Sequence, residues 1–395
     1  MERLAGSAKL LRAMNTSAVL AHLIQRGPLT RSDIRDLTGL SKPTTSEVLR
    51  KLVAAELAMV TGYVSGGPGP NAEIYRANPD SAYAAALSIR ETVGDPVVAL
   101  GVGDLAGVTR ARDEVTVDLA TGDPAGVLAG ALRDLCRAEG LDTARIRHTQ
   151  LGVPGSYDHT TDTIHHVDVP GLARPGLVTA LRAEVGGAVA VDNDVNMAAV
   201  AERRRGVARG ADAFALLWLD DGLGLAIDLG GTLLRGARGG AGEIGYMPLG
   251  MPVQGGLPGT GDLHGLLSGP EVVALAAAHG HDAKTPGEAV TSAGPEFLAA
   301  LALRVAVVVA TVVAVLDPAL VVLSGAVGRA GGDRLRDAVV EALDTIGPLS
   351  AEIATTALTD DAVLLGALDA GLESVREDLI RSVHDANAPV VPTPR

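Results

Sequence analysis

Cysteine is almost absent from this 395-residue sequence: Cys136 stands alone. One thiol cannot close an internal disulfide or furnish a cysteine-rich zinc cage, and it suits a reducing cytoplasm. Aromatic residues are equally scarce, at 2%, so a core must be assembled from Ala, Val and Leu. Long hydrophobic runs are missing too. The longest, VAVVVATVVAVL at 305–316, is bounded by Arg304 and Asp317. That is too short to span a bilayer and implies a buried core helix. The opening MERLAGSAKLLRAMN lacks the continuous apolar segment and small-residue cleavage site of a secretion signal. The expectation is a soluble, cytoplasmic chain with no membrane partner.

What is present is enough apolar material, 47% of residues, for a large core, over a length that suggests two or three domains. Charge is unevenly spread. Residues 1–79 carry ten Lys/Arg and six Asp/Glu, a net of +4 within an overall −14. A small basic module on an acidic body is implied.

Within that module, SAVLAHLIQRG reads as a helix with Val19, Leu20, Leu23 and Ile24 on one face, ended by Gly27-Pro28. Thr30 and Asp33 suit a cap for a short second helix that buries Ile34 and Leu37 and stops at Gly39. Ser41 can cap a third helix, with Pro43 in its first turn. Val48, Leu49, Leu52 and Val53 would be its inward face, leaving Lys42, Thr44, Thr45 and Arg50 outward. Two β-prone segments, LAMVTGYV and AEIYRANP, follow on either side of SGGPGPN and read as a hairpin wing. Together these describe a winged helix-turn-helix over residues 1–80, with Ser41, Lys42, Thr44, Thr45 and Arg50 at the face that meets double-stranded operator DNA. The plainer alternative is a three-helix protein-interaction module.

From residue 81 to 395, β-rich and helical segments alternate, as in PVVALGVGDLAG, PAGVLAGALRDLCRAEG and TQLGVPGSY. Alternation of this kind favours an α/β architecture. In VDNDVNMAAVAE, 191–202, Asp194 falls where a strand ends and a helix begins, the edge at which open α/β sheets present their chemistry. Such a carboxylate can act as a general base or simply hold a ligand hydroxyl.

Three ordered segments, LGVPGSYDHTTDTIHHVDVPGL, VDNDVNMAAVAE and GARGGAGEIGYMPL, resemble the ROK family of repressors, open reading frames and kinases. With the N-terminal module, the chain resembles the repressor branch. The resemblance implies a multidomain protein: the winged helix-turn-helix plus an α/β, two-lobed, actin/hexokinase-like domain with a sugar cleft. It also implies that the family kinases' catalytic base corresponds to Asp194.

Departures from the pattern argue against catalysis. Family kinases cradle phosphates in a turn resembling D-x-G-G-T, where this chain reads SIRET at 88–92. Their second turn resembles G-T-G-x-G-x-G, where this chain reads DDGLGLA at 220–226. Glycines that allow close backbone approach are replaced, and two carboxylates stand where a polyanion would sit. No catalytic residue and no cofactor is expected. Family zinc sites use a His after G-E-x-G and a cysteine cluster; here the positions read Tyr246 and GLPGTGDLH. No metal is expected. His165, His166, Asp162 and Asp168 are close in sequence, but a polar loop explains them better.

Sugar-facing positions are partly kept. Asn193, Asp194 and Glu243 match, Asp168 stands for an Asn, Tyr246 for a His, and His264 for the Glu of the cysteine cluster. Carboxylates and amides ringing a cleft suit sugar hydroxyls, each bond worth about 1 kcal/mol net. Asn193 and Asp194 could alternatively serve as helix caps. The reading is a transcriptional regulator, a repressor, sensing a sugar or sugar derivative and working as a homodimer or dimer of dimers. A sugar kinase that also binds DNA, or a ligand-independent repressor acting through protein contacts, are the alternatives.

Overall fold

The structure, a computed structural model, describes residues 2–64, 72–92, 94–120, 122–165, 167, 169–249, 261–292, 294–359 and 361–387, with backbone alone for 2–10 and 385–387. The connection SGGPGPN lies outside them. The chain begins with helix α1 (Glu2–Arg26), a short strand β1 (Leu29–Thr30), α2 (Arg31–Thr38), α3 (Lys42–Ala54), β2 (Ala58–Val64) and β3 (Ala72–Ala77). The helix boundaries are where capping chemistry puts them. Thr30 and Asp33 bond reciprocally at the start of α2, and Gly39 ends it with φ 68°. The Ser41 hydroxyl accepts the Thr44 N–H, and Pro43 lies in the first turn of α3. The strands pair antiparallel in the order β1-β3-β2.

Two α/β lobes follow. The first contains β4 (Tyr83–Arg90), β5 (Val97–Asp104), β6 (Thr109–Thr116), α4 (Pro124–Ala138), β7 (Ile146–Val153), the hairpin β8 (Ser156–Asp158) and β9 (Thr163–His165), α5 (Leu177–Val185), β10 (Ala188–Asn193) and α6 (Asp194–Arg205). The second contains β11 (Ala213–Leu219), β12 (Leu223–Leu229), β13 (Thr232–Leu233), α7 (His264–Leu267), α8 (Gly269–Ala278), α9 (Pro286–Thr291), α10 (Pro295–Leu316), β14 (Leu320–Ser324), α11 (Gly325–Ile346), β15 (Glu352–Thr355) and α12 (Ala362–Asn387).

The two main sheets have one plan. Their orders are β10-β7-β4-β5-β6 and β15-β14-β11-β12-β13, each with an antiparallel three-strand meander extended by two parallel strands. Leu87, Leu100, Leu128 and Leu151 centre the first core, and Phe297, Leu301, Val309 and Leu323 the second. Helix α10 extends well before the 305–316 run and is long and apolar enough to cross a membrane by length and composition. It buries Leu301, Val305, Val308, Val309 and Val312 in the second lobe, and Arg304 donates to the Leu266 carbonyl at 3.0 Å.

Helix α12 joins the parts. Its first half packs on α6 so closely that a Cβ at Gly366 would lie 1.7 Å from the Met197 carbonyl oxygen. Only glycine fits there. Arg205 forms a bidentate pair with Asp369, at 2.7 and 2.6 Å. Further along, Leu372, Val375 and Leu379 share a core with Leu20, Leu23, Ile34, Leu49 and Leu52 of the N-terminal helices. The Ser17 hydroxyl donates to the Ile380 carbonyl at 3.2 Å.

Candidate functional site

The parallel strand β10 delivers three polar residues in succession to the start of α6, and each turns a different way. Asp192 is buried; its Oδ1 accepts the Asn193 N–H and the Asn196 Nδ2. Asn193 is the helix cap, its Oδ1 accepting the Val195 and Asn196 N–H groups while its Nδ2 donates to the Gly155 carbonyl. The cap alternative therefore holds for Asn193. Asp194 is the first helical residue, half-buried, and accepts the Val195 N–H at 2.8 Å. Burial pushes its carboxyl up to about 7, aided by the like charges of Glu243 and Asp220 and opposed by that N–H bond. At neutral pH it is poised between acid and base.

Glu243 precedes the short turn Ile244–Tyr246 and is close enough for its charge to act on Asp194. The expected neighbours Tyr246 and His264 do come together, ring centroids 5.1 Å apart and edge to face. His264 lies against Gly245, where a Cβ would come within 2.1 Å of its Nε2. Asn193, Asp194, Glu243, Tyr246 and His264 are thus placed on adjoining elements, whereas Asp168 and His166 lie outside the described residues. Asp162 spends its oxygens on the Tyr157 hydroxyl and the Thr179 N–H. The residues present do not suit a family-type zinc site: the one thiol, Cys136, is buried in α4 of the other lobe.

The two altered turns differ in what they have become. Ser88 is fully buried on β4, and Arg90 pairs with Glu114 on the next-but-one strand. Asp220 is half-buried, with Oδ2 accepting the Ala326 N–H at the start of α11, 2.9 Å away. Burial raises its carboxyl, as does Asp221, while Arg329 pulls it down. Sequence reasoning placed Asp220 in a turn but had no means of pairing it with α11. It also missed Arg235, which donates through Nε to Asp192 Oδ2 at 2.8 Å.

On α3, Ser41, Lys42 and Arg50 are exposed and Thr44 is half-buried. Thr45 corrects the outward assignment. It is 1% exposed and its hydroxyl donates to the Ser41 carbonyl, because residue 45 shares a face with Val48, Leu49 and Leu52. Val53, expected inward, is 38% exposed.

A bifunctional enzyme NanE/NanK from Brucella suis is 36% identical over 194 residues, 47% of this chain and 35% of that protein. The chain thus spans about a third of that relative. The xylose repressor of Bacillus subtilis is 21% identical over 273 residues, 60% of this chain and 61% of the repressor. Among solved structures, a ROK hexokinase from Thermus thermophilus is 26% identical with TM-score 0.61, covering 75% of this chain and 99% of that one. A ROK transcriptional regulator homologous to the Escherichia coli MLC protein reaches TM-score 0.71 at 19% identity, covering 95% of this chain and 99% of its own. Kinases and regulators are both among the relatives. The model of the ROK family matches residues 92–371, well over half the sequence, and the chain belongs to the ROK family.

Proposed function

We propose that this protein is a sequence-specific DNA-binding regulator, a repressor, whose two-lobed body binds a sugar or sugar derivative without phosphorylating it. One observation carries the reading. The fold shared with the ROK transcriptional regulator runs over 95% of the chain and so takes in the N-terminal helices, whereas the hexokinase fold stops at 75%. In this reading residues 1–80 are a winged helix-turn-helix and residues 81–395 the effector body. Ser41, Lys42, Thr44 and Arg50 line the DNA face, with Thr45 supporting it from behind. Asn193, Asp194, Glu243, Tyr246 and His264 surround the sugar, and Asp168 is assigned to the same site by the family resemblance alone.

Absence of phosphoryl transfer is supported by Asp220, which sets a carboxylate on the first turn of α11. A phosphate charge about 4 Å away would be opposed by roughly 4 kcal/mol at an effective dielectric of 20. Asp194 then has no phosphoryl group towards which to direct a hydroxyl. It orients a ligand. Ligand-driven closure of the lobes would shift the placement of two DNA readers in a dimer.

The test uses the full chain. Selection from random duplexes should recover a preferred sequence, and gel shifts should show its binding weakened in Lys42→Ala and Arg50→Ala. Failure to enrich any sequence would defeat the DNA reading. Higher identity to NanE/NanK keeps one rival in view, and ADP release from Mg-ATP in the presence of a sugar would favour it.

A further inference from the structure

Arg235 lies in a groove of about 820 Å³ lined by Asp192, Met197, Arg203, Asp228 and Thr232, whose walls include neither Asp194 nor Glu243. Its guanidinium reaches Asp192 Oδ2 with Nε at 2.8 Å and Nη2 at 2.7 Å. The carboxylate end of the pair is 9% exposed and the guanidinium end 53%. A pair half in water adds little stability. Its position is what counts.

Follow the pair in both directions. Asp192 holds the Asn193 N–H and the Asn196 side chain, so it fixes the turn from which Asp194 emerges. Arg235 begins the loop that ends at Glu243. Its carbonyl accepts the Ala241 N–H at 3.1 Å, the preceding Leu234 bonds to Ile227, and the Gly242 carbonyl accepts the Leu225 N–H. That loop is stitched to β12 of the second lobe, while Asp192 belongs to the edge strand of the first-lobe sheet. Backbone bonds fix the Glu243 loop to β12, and the lobes already meet at α6, where Val195 packs with Leu216 and Leu233 in one buried core and Arg203 pairs with Asp228. The Arg235 side chain adds a tie of its own, from the start of the Glu243 loop to the strand end that precedes Asp194.

We propose that Arg235 is a positioning residue whose ion pair with Asp192 sets the separation of Asp194 from Glu243. This deepens the sugar-binding reading and rests on it for its consequence, because that separation is the gap a ligand must bridge. Loss of the pair frees the start of the Glu243 loop to shift relative to Asp192, while the core shared by Val195 and Leu233 holds the lobes together.

The coupling between the carboxylates can be measured without any sugar. Asp194, observed by ¹³C NMR in protein labelled at aspartate Cγ and assigned with Asp194→Asn, reports its own titration midpoint. In the wild type, Glu243→Gln should lower that midpoint by removing a like charge. In an Arg235→Ala background the same substitution should lower it less than about half as far, and the charge of Arg235 cancels because both arms lack it. Arg235→Lys, which keeps cation and reach, should restore the coupling. An equal drop in both backgrounds overturns the proposal, as does a wild-type midpoint that Glu243→Gln leaves unmoved. Should Arg235→Ala fold poorly, Arg235→Gln makes the same comparison. Sugar binding is read separately from Trp218 fluorescence with D-glucose, D-xylose and N-acetyl-D-mannosamine, since the one tryptophan packs in the cluster containing Val195. A sugar-blind protein with the coupling intact strikes the sugar reading and leaves the role of Arg235 standing.

Discussion

Asp220 and Ala326, 106 residues apart, meet carboxylate to backbone N–H at 2.9 Å, so the helix α11 is capped by a side chain from a turn between β11 and β12. The dipole at that helix end favours an anion, and the protein supplies its own. Titration with Mg-ATP should therefore give no saturable heat, and a coupled assay over a sugar panel no ADP release. Turnover above background that disappears in Asp194→Asn would reverse this conclusion.

Asp194 should make stability fall with rising pH. Its carboxyl is raised from 3.8 to about 7 in the folded protein, so between those values the native state holds a proton that the unfolded chain has lost. Below about pH 4 both states are protonated and the residue is neutral for stability. Above pH 7 the native state must carry the buried charge, at a cost of up to about 4 kcal/mol. Asp194→Asn should then raise the melting temperature at pH 8 and leave it unchanged at pH 4. A substitution that is equally stabilising at both pH values would show that burial, not ionisation, sets the effect.

On the proposed reading of residues 1–80, DNA contacts should separate by kind. Replacing Arg50 should weaken binding to all sequences and lower the salt slope by about one. Replacing Thr44 should relax sequence preference, with a loss of roughly 1–3 kcal/mol at the affected base. Thr45→Val should leave preference untouched, since the residue is buried behind the helix. A Thr45→Val protein with altered preference in a selection experiment would contradict the orientation of α3.

At Gly366, an alanine Cβ would meet the Met197 carbonyl oxygen at 1.7 Å. The backbones of α6 and α12 must separate to admit it, which should lower stability by roughly 1–3 kcal/mol or more. Calorimetry of Gly366→Ala checks this, and an unchanged melting temperature would refute it.

Much of this was legible locally. Thr30, Asp33, Gly39 and Ser41 announce α2 and α3 because caps act within one turn, and LAMVTGYV and AEIYRANP correspond to β2 and β3. The orientation of Thr45 was also available. Residues 45, 48, 49 and 52 follow helical spacing, and a polar side chain drew attention away from it. The family resemblance assigned Tyr246 and His264 to the site separately, and their contact is fixed by packing at Gly245. Asp220 with Ala326, and Arg235 with Asp192, were illegible. Each joins segments whose separation depends on how the second lobe closes, and no local propensity encodes that.

The shared core of α12 and the N-terminal helices also sets an order of events during synthesis. Residues 1–80 leave the ribosome well before Leu372, Val375 and Leu379, which complete their hydrophobic core. At roughly 5–20 residues per second the first helices wait on the order of 15–60 s for their missing wall. A chain that terminates before α12 leaves Leu20, Leu23 and Leu49 without the wall that Leu372, Val375 and Leu379 supply. The N-terminal helices therefore reach their finished packing only after α12 has been made.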